Sequence, residues 1–162
     1  MVNPGQWDGY PDERERLLRL LGASPTPTVV LSGDLHSSWL AELRAADGAV
    51  VATELTGPAV SAPAFARKLA PPLPGGRRLL EAAILSQNRH IRWVDTAHHG
   101  YLVLDVTPER LEAEWWHVAH VDRRTREERC AARVTIPAAG GPVALSAEGY
   151  SSSRRRAATN AS

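Results

Sequence analysis

The sequence is short of cysteine, methionine, phenylalanine and lysine, with one Cys, one Met and one Phe in 162 residues. A single cysteine excludes an intramolecular disulfide framework. Cys130 stands in a charged run, which is no setting for an activated thiol, and reads as a small apolar residue in a strand. The lone lysine, Lys68, against many arginines and abundant alanine reads as coding bias of a GC-rich genome rather than as chemistry. Charge of one sign is also missing. The net charge is +1, so no strong field is present for nucleic acid or a membrane surface. The triplet Arg154-Arg155-Arg156 sits in a Ser-rich stretch and reads as solvated. No apolar run approaches the roughly 20 residues that span a bilayer. Met1 to Trp7 is polar and aromatic, so a signal peptide is not expected in this stretch. There is no internal repeat. What remains, 43% hydrophobic and 23% charged, is the composition of one globular domain or a piece of one. A Pro-Gly turn and a Trp directly after Asn3 are the start expected of the interior of a longer protein.

The local patterns predict a helix first. Pro11 near the first turn, early acids, leucines at helical spacing and Gly22 at the end mark an amphipathic helix over 11–22. Thr28 to Leu31 is short, β-branched and bounded by Pro27 and Gly33, which predicts a buried strand. A β-hairpin follows, with 39–44 and 49–55 as strands and Asp47-Gly48 as its turn. Residues 57–63 must be loop. A second helix is predicted over about 77–87. Strands are expected at 90–95, 100–106 and 111–121, with Cys130 to Ile136 closing a hairpin. Period two predicts that one indole of Trp115-Trp116 faces the core and the other faces outward. His98 and His99 are read as solvent-exposed turn residues. The stretch from 137 to 162 is rich in Ala, Gly, Ser and Arg and is expected to be a disordered, low-complexity tail. The class is α+β with mostly antiparallel strands, in one unit over 1–136.

The chemistry concentrates in Ser32-Gly33-Asp34-Leu35-His36. The strand delivers a carboxylate and an imidazole, two residues apart, to its C-terminal end, where α/β sheets bind ligands. An oxygen donor and a nitrogen donor on one tight loop suit neighbouring metal ions. The same five residues also make an ordinary turn with a capping Asp and a surface His. On the residues alone, both readings stay open.

Several blocks occur together in one order: Asn3-Pro4 through Gln6-Trp7-Asp8-Gly9-Tyr10-Pro11, Ser32 to Trp39, Thr53 to Pro63, His90 to Asp95, and Gly100 to Glu109. This ordered set resembles the C-terminal part of PhoD-type alkaline phosphatases, of the calcineurin-like metallophosphoesterase superfamily. The resemblance runs over roughly residues 3 to 121. It implies the C-terminal half of a β-sandwich, two facing sheets flanked by helices, and hydrolysis of phosphate esters with iron and calcium as cofactors. It also implies that Asp34 binds the calcium-type ion and His36 the iron-type ion. His90, Asn3 and Asp8 would be site-lining. Two such cations would polarise the phosphoryl group and activate a water for in-line attack. Members are often exported by a twin-arginine signal, so localisation stays open.

The family's other metal ligands belong to Asp-rich and Asn-His blocks that these 162 residues do not contain. Two donors do not complete a two-metal site. The expectation is therefore a fragment, inactive alone unless another polypeptide supplies the missing half, with a phosphate ester as substrate of the complete protein. The alternative is a non-enzymatic interaction module. A single sheet without its second layer would leave an apolar face uncovered, through which the chain would dock on a partner. A nucleic-acid binder is disfavoured by the near-neutral charge.

Overall fold

The structure is a computed structural model and describes residues 7–69, 73–147 and 150–151. A 3₁₀ turn, Trp7–Gly9, leads into α1, Pro11–Gly22. Pro11 occupies the first turn, where its missing N–H costs nothing. Asp12 and Glu13 lie at the positive end of the helix dipole and Arg19 at the negative end. Leu18 is the residue of α1 that is fully buried.

Two sheets follow. The first has the order β1-β3-β2-β4 and comprises β1 (Val29–Ser32), β2 (Ser38–Arg44), β3 (Val50–Thr56) and β4 (Ile91–Asp95). Only β1 and β3 pair in parallel; β2 runs antiparallel to both β3 and β4. The Asp47-Gly48 turn forms as expected. Gly48 takes φ 88°, and the Asp47 carboxylate accepts from Ala49 N at 2.9 Å. Between the hairpin and β4 come α2 (Ala66–Leu69) and α3 (Gly76–Gln87). The short α2 has no counterpart in the sequence pattern.

The second sheet is a meander, β5 (Gly100–Val106), β6 (Arg110–Val118) and β7 (Glu128–Pro137), extended by β8 (Ala144–Ser146), with β9 (Tyr150–Ser151) also on β7. A disordered tail was expected from residue 137. Instead β8 pairs with β7, and Val143 packs against the core. Backbone hydrogen bonding to an open edge holds this exposed strand, and its composition gives no apolar alternation to announce it. Residues 152–162, including the Arg154 triplet, lie outside the described residues, as does Asn3.

The two sheets face each other. Leu40 and Leu55 of the first pack on Ala113, Trp115, Ala132, Val134 and Ile136 of the second. These are the two facing sheets expected of the β-sandwich, and their apolar faces cover each other. Trp115 is completely buried, tilts against Trp93 with ring centroids 5.0 Å apart, and donates its indole N–H to the Thr56 carbonyl at 2.9 Å. Trp116 turns outward across a bulge and donates to Glu114 at 2.8 Å. The tandem indoles thus divide as period two requires.

Two substitutions test this packing. Trp115→Ala should cost about 3–5 kcal/mol in urea unfolding. A Cβ on Gly100 would lie 1.9 Å from the Trp116 carbonyl oxygen, so Gly100→Ala should cost about 3 kcal/mol through backbone displacement.

Candidate metal centre and cleft

β1 ends at Ser32 and β2 begins at Ser38, leaving a loop of five residues that carries Asp34 and His36. One strand holds both ends of this loop. Thr56 of β3 is in register with Ser32 on one side and with Trp39 on the other. The loop closes so tightly that Asp34 (φ 67°) and His36 (φ 53°) both adopt left-handed backbone. Among the described residues they are the non-glycine positions that do so. Asp and His tolerate this region better than most side chains, but it still costs backbone energy. Alternation of two strained, metal-competent residues is an unusual outcome for a plain turn, and strain of this kind clusters at functional sites.

The side chains differ in setting. Asp34 is exposed, and no described residue hydrogen-bonds its carboxylate. His36 is half-buried, and its Nδ1 lies 3.1 Å from the Pro63 carbonyl. A carbonyl only accepts, so Nδ1 carries the proton. The neutral ring then keeps its lone pair on Nε2, the tautomer that metal-binding histidines adopt. The loop beyond β3 is clasped here: Phe65 N donates to His36 O at 3.2 Å and Gly100 N to Ala59 O at 3.1 Å.

A cleft of about 640 Å³ opens along α1 and the outer face of the first sheet, walled in part by Trp7, Arg14, Leu18, Asp34, Glu54 and His90. Asp34 and His90 therefore share one cleft, whereas His36 lies outside its wall and turns toward Pro63. Inside the cleft, Ser32 Oγ donates to Glu54 at 2.5 Å. Asp8 lies in the 3₁₀ turn, and its side chain is outside the described residues.

Sequence reasoning missed a second group. Asp95, His98 and His117 each offer one ligand atom, and these atoms lie within 4.8 Å of one another. Asp95 Oδ1 accepts from Ala97 N at 3.0 Å and from His98 N at 2.9 Å. Its Oδ2 lies 2.7 Å from His98 Nδ1 and 3.5 Å from Arg77 of α3. Burial raises the Asp95 carboxyl, but the hydrogen bonds from His98 and the charge interactions with His117 and His98 together hold the group below the usual carboxylate range. Burial pushes the His117 imidazole down to about 4, against the pull of Asp95. Neither His98 nor His99 is the solvent-exposed residue expected. His98 stacks on His117 with centroids 4.9 Å apart, and His99 Nε2 donates to the Ala62 carbonyl at 2.8 Å. The Asp-x-x-His spacing was legible as a local turn. His117 comes from another sheet, and no local pattern points to it. Burial also pushes the Cys130 thiol up, consistent with an inert strand residue.

Comparison with known proteins gives one direction. The family model described as PhoD-like phosphatase matches residues 1–115. Alkaline phosphatase D of Bacillus subtilis (strain 168) is 28% identical over 118 residues, covering 67% of this chain and 18% of that protein. A solved structure of PhoD superposes with a TM-score of 0.68 at 22% identity, covering 91% of this chain and 28% of the other. That superposition speaks for the fold. The chain thus spans less than a third of the length of these relatives.

If the loop stores strain for a purpose other than folding, glycine should relieve it. Asp34→Gly should be neutral or stabilising by up to about 1 kcal/mol in urea unfolding. A loss above that size would mean that the carboxylate holds the loop together.

Proposed function

The chain belongs to the PhoD-like phosphatase family, and from that premise we propose that its Ser32–Ser38 loop contributes part of the metal centre of a phosphate-ester hydrolase. The family is one of phosphatase-type hydrolases and suggests metal dependence. The finer assignment, Asp34 to a calcium-type ion and His36 to an iron-type ion, rests on the family resemblance and suits ligand chemistry: carboxylate oxygen favours hard cations and imidazole favours iron.

The observation that carries the reading is the state of the two side chains. Asp34 projects from strained backbone with a carboxylate that no described residue occupies. His36 has its Nδ1 proton committed to Pro63, which leaves Nε2 to coordinate. When bound, the ions supply Lewis-acid polarisation of the phosphoryl group and activation of the attacking water. The protein's own part is positional. β3 holds both ends of the loop, the Pro63 carbonyl sets the His36 tautomer, and the cleft beside Asp34 provides room for the ester. His90 and Arg14 line that cleft.

Two donors leave each ion short of ligands. The complete activity therefore needs donors from outside these 162 residues, and the chain by itself is inactive. A polypeptide supplying them has a place to join. β1 is the edge strand of its sheet, with Leu31 57% exposed, and an open strand edge accepts another strand.

The test compares two preparations. Alone, the chain should not hydrolyse 4-nitrophenyl phosphate with added iron and calcium. Joined to or co-produced with a family polypeptide carrying the remaining donors, it should. Asp34→Ala or His36→Ala should then lower turnover about 10³-fold, close to 4 kcal/mol of barrier. Turnover that survives both substitutions would falsify the assignment.

A further inference from the structure

Asp95, His98 and His117 lie apart from the cleft, since none of the three is in its wall. Asp95 closes β4 of the first sheet, His117 is in β6 of the second, and His98 is in the turn between the sheets. We propose that these three residues form a binding site for a divalent transition ion of the zinc class, which clamps the two sheets together. This is independent of the phosphatase reading.

The donor set selects the ion. Two imidazoles and one carboxylate suit zinc, cobalt or nickel, whereas calcium and magnesium take oxygen. The second observation is an orphan atom. His117 is 1% exposed, and its Nδ1 is the buried side-chain nitrogen or oxygen with no hydrogen-bond partner among the described residues. A buried imidazole nitrogen without a partner is destabilising, because it has given up water and received nothing in exchange. It stands 4.0 Å from Asp95 Oδ2, too far for a hydrogen bond. The opposite nitrogen is provided for: Nε2 lies 3.3 Å from Ser38 Oγ. With the proton on Nε2 and donated to Ser38, Nδ1 keeps a free lone pair beside the cluster, with Ser38 as the outer partner that metal-binding histidines use.

The spacing brackets an ion. Zinc bonds of about 2.0–2.1 Å in a tetrahedral site put ligand atoms about 3.3 Å apart. Asp95 Oδ2 is 2.7 Å from His98 Nδ1 and 4.0 Å from His117 Nδ1. To reach that geometry one gap opens and the other closes, each by about 0.6 Å, and the His98 ring turns out of its stack on His117 so that both lone pairs lie in plane with the ion. In the metal-free protein a proton on His98 Nδ1 bridges to Asp95. The ion takes its place, and the proton moves by way of solvent to His98 Nε2, so that the ring keeps one proton and none is released. His98 is 34% exposed, which gives the ion a way in.

Two guanidinium groups oppose the cation. Arg77 is 3.5 Å from Asp95 Oδ2, and Arg129 Nη2 is 3.3 Å from His98 Nε2. Coordination through Nδ1 requires the His98 proton to sit on Nε2, facing the Arg129 donor. Arg129 is exposed and must swing away. Its removal should therefore favour the ion, an effect that a purely structural hydrogen-bond cluster would not produce.

The experiment uses the full chain carrying Asp34→Ala and His36→Ala, so that only the seam site remains. Cobalt(II) is the probe, read by visible d–d absorption and by metal content after desalting. One equivalent of Co²⁺ with the bands of a four-coordinate ion is expected, and Zn²⁺ should displace it and raise the melting temperature. Adding His98→Ala should weaken binding by more than the 10–100-fold that loss of an outer-shell partner costs. His98→Asn keeps a hydrogen-bond donor to Asp95 and guards against a folding artefact; it should lose the ion and stay folded. Arg129→Ala should tighten binding several-fold. Failure to retain Co²⁺, or equal binding with and without the His98 substitutions, overturns the site and leaves the Asp34–His36 assignment untouched.

Discussion

The hydrogen bond from the Trp115 indole to the Thr56 carbonyl is the constraint on which the rest depends. Trp115 fills the space between the sheets, and its one polar atom finds a partner only at the end of β3. A buried indole N–H without an acceptor would be costly, so this bond sets how the second sheet sits on the first. Thr56 is also the residue that aligns Ser32 with Trp39. The core tryptophan is therefore one bond away from the frame that bends Asp34 and His36 into left-handed backbone. Packing of the core and strain in the loop are parts of one arrangement.

The same seam concentrates the polar groups that the core cannot leave unpaired. Asp95 gathers two backbone N–H groups and His98. Glu81 of α3 accepts from Thr96 N and Thr96 Oγ, both at 2.9 Å, and so fastens the helix to the turn between the sheets. His117 is left with one nitrogen unpaired. Among the described residues it is the one buried side-chain nitrogen or oxygen left so, which makes the omission informative.

Much of the fold was legible in local patterns, because those elements are set by neighbours in sequence. The Pro11-to-Gly22 helix, the Asp47-Gly48 hairpin and the split of Trp115 from Trp116 follow from capping, turn chemistry and alternation. What failed was long-range or backbone-driven. The strand expected at 90–95 precedes that at 100–106 by a short turn, yet the two part: 91–95 joins the first sheet beside β2 and 100–106 opens the second. β8 pairs through its backbone with little help from its side chains. His98 and His99 looked exposed because two adjacent histidines at a turn give no sign of what will cover them. The covering came from His117, nineteen residues beyond His98 and in the other sheet, and from the loop at Ala62.

By itself, the sequence determined the class of elements, their order and which polar side chains stand at the tip of the first strand, since a carboxylate and an imidazole two residues apart on a glycine-bounded turn need no tertiary partner to be seen. Only the tertiary structure decided that both residues lie on left-handed backbone, that Pro63 fixes the His36 tautomer, and that Asp95, His98 and His117 meet. The reason is distance along the chain. Propensity and periodicity act over a few residues, whereas the seam joins positions that touch only when two sheets have closed over Trp115.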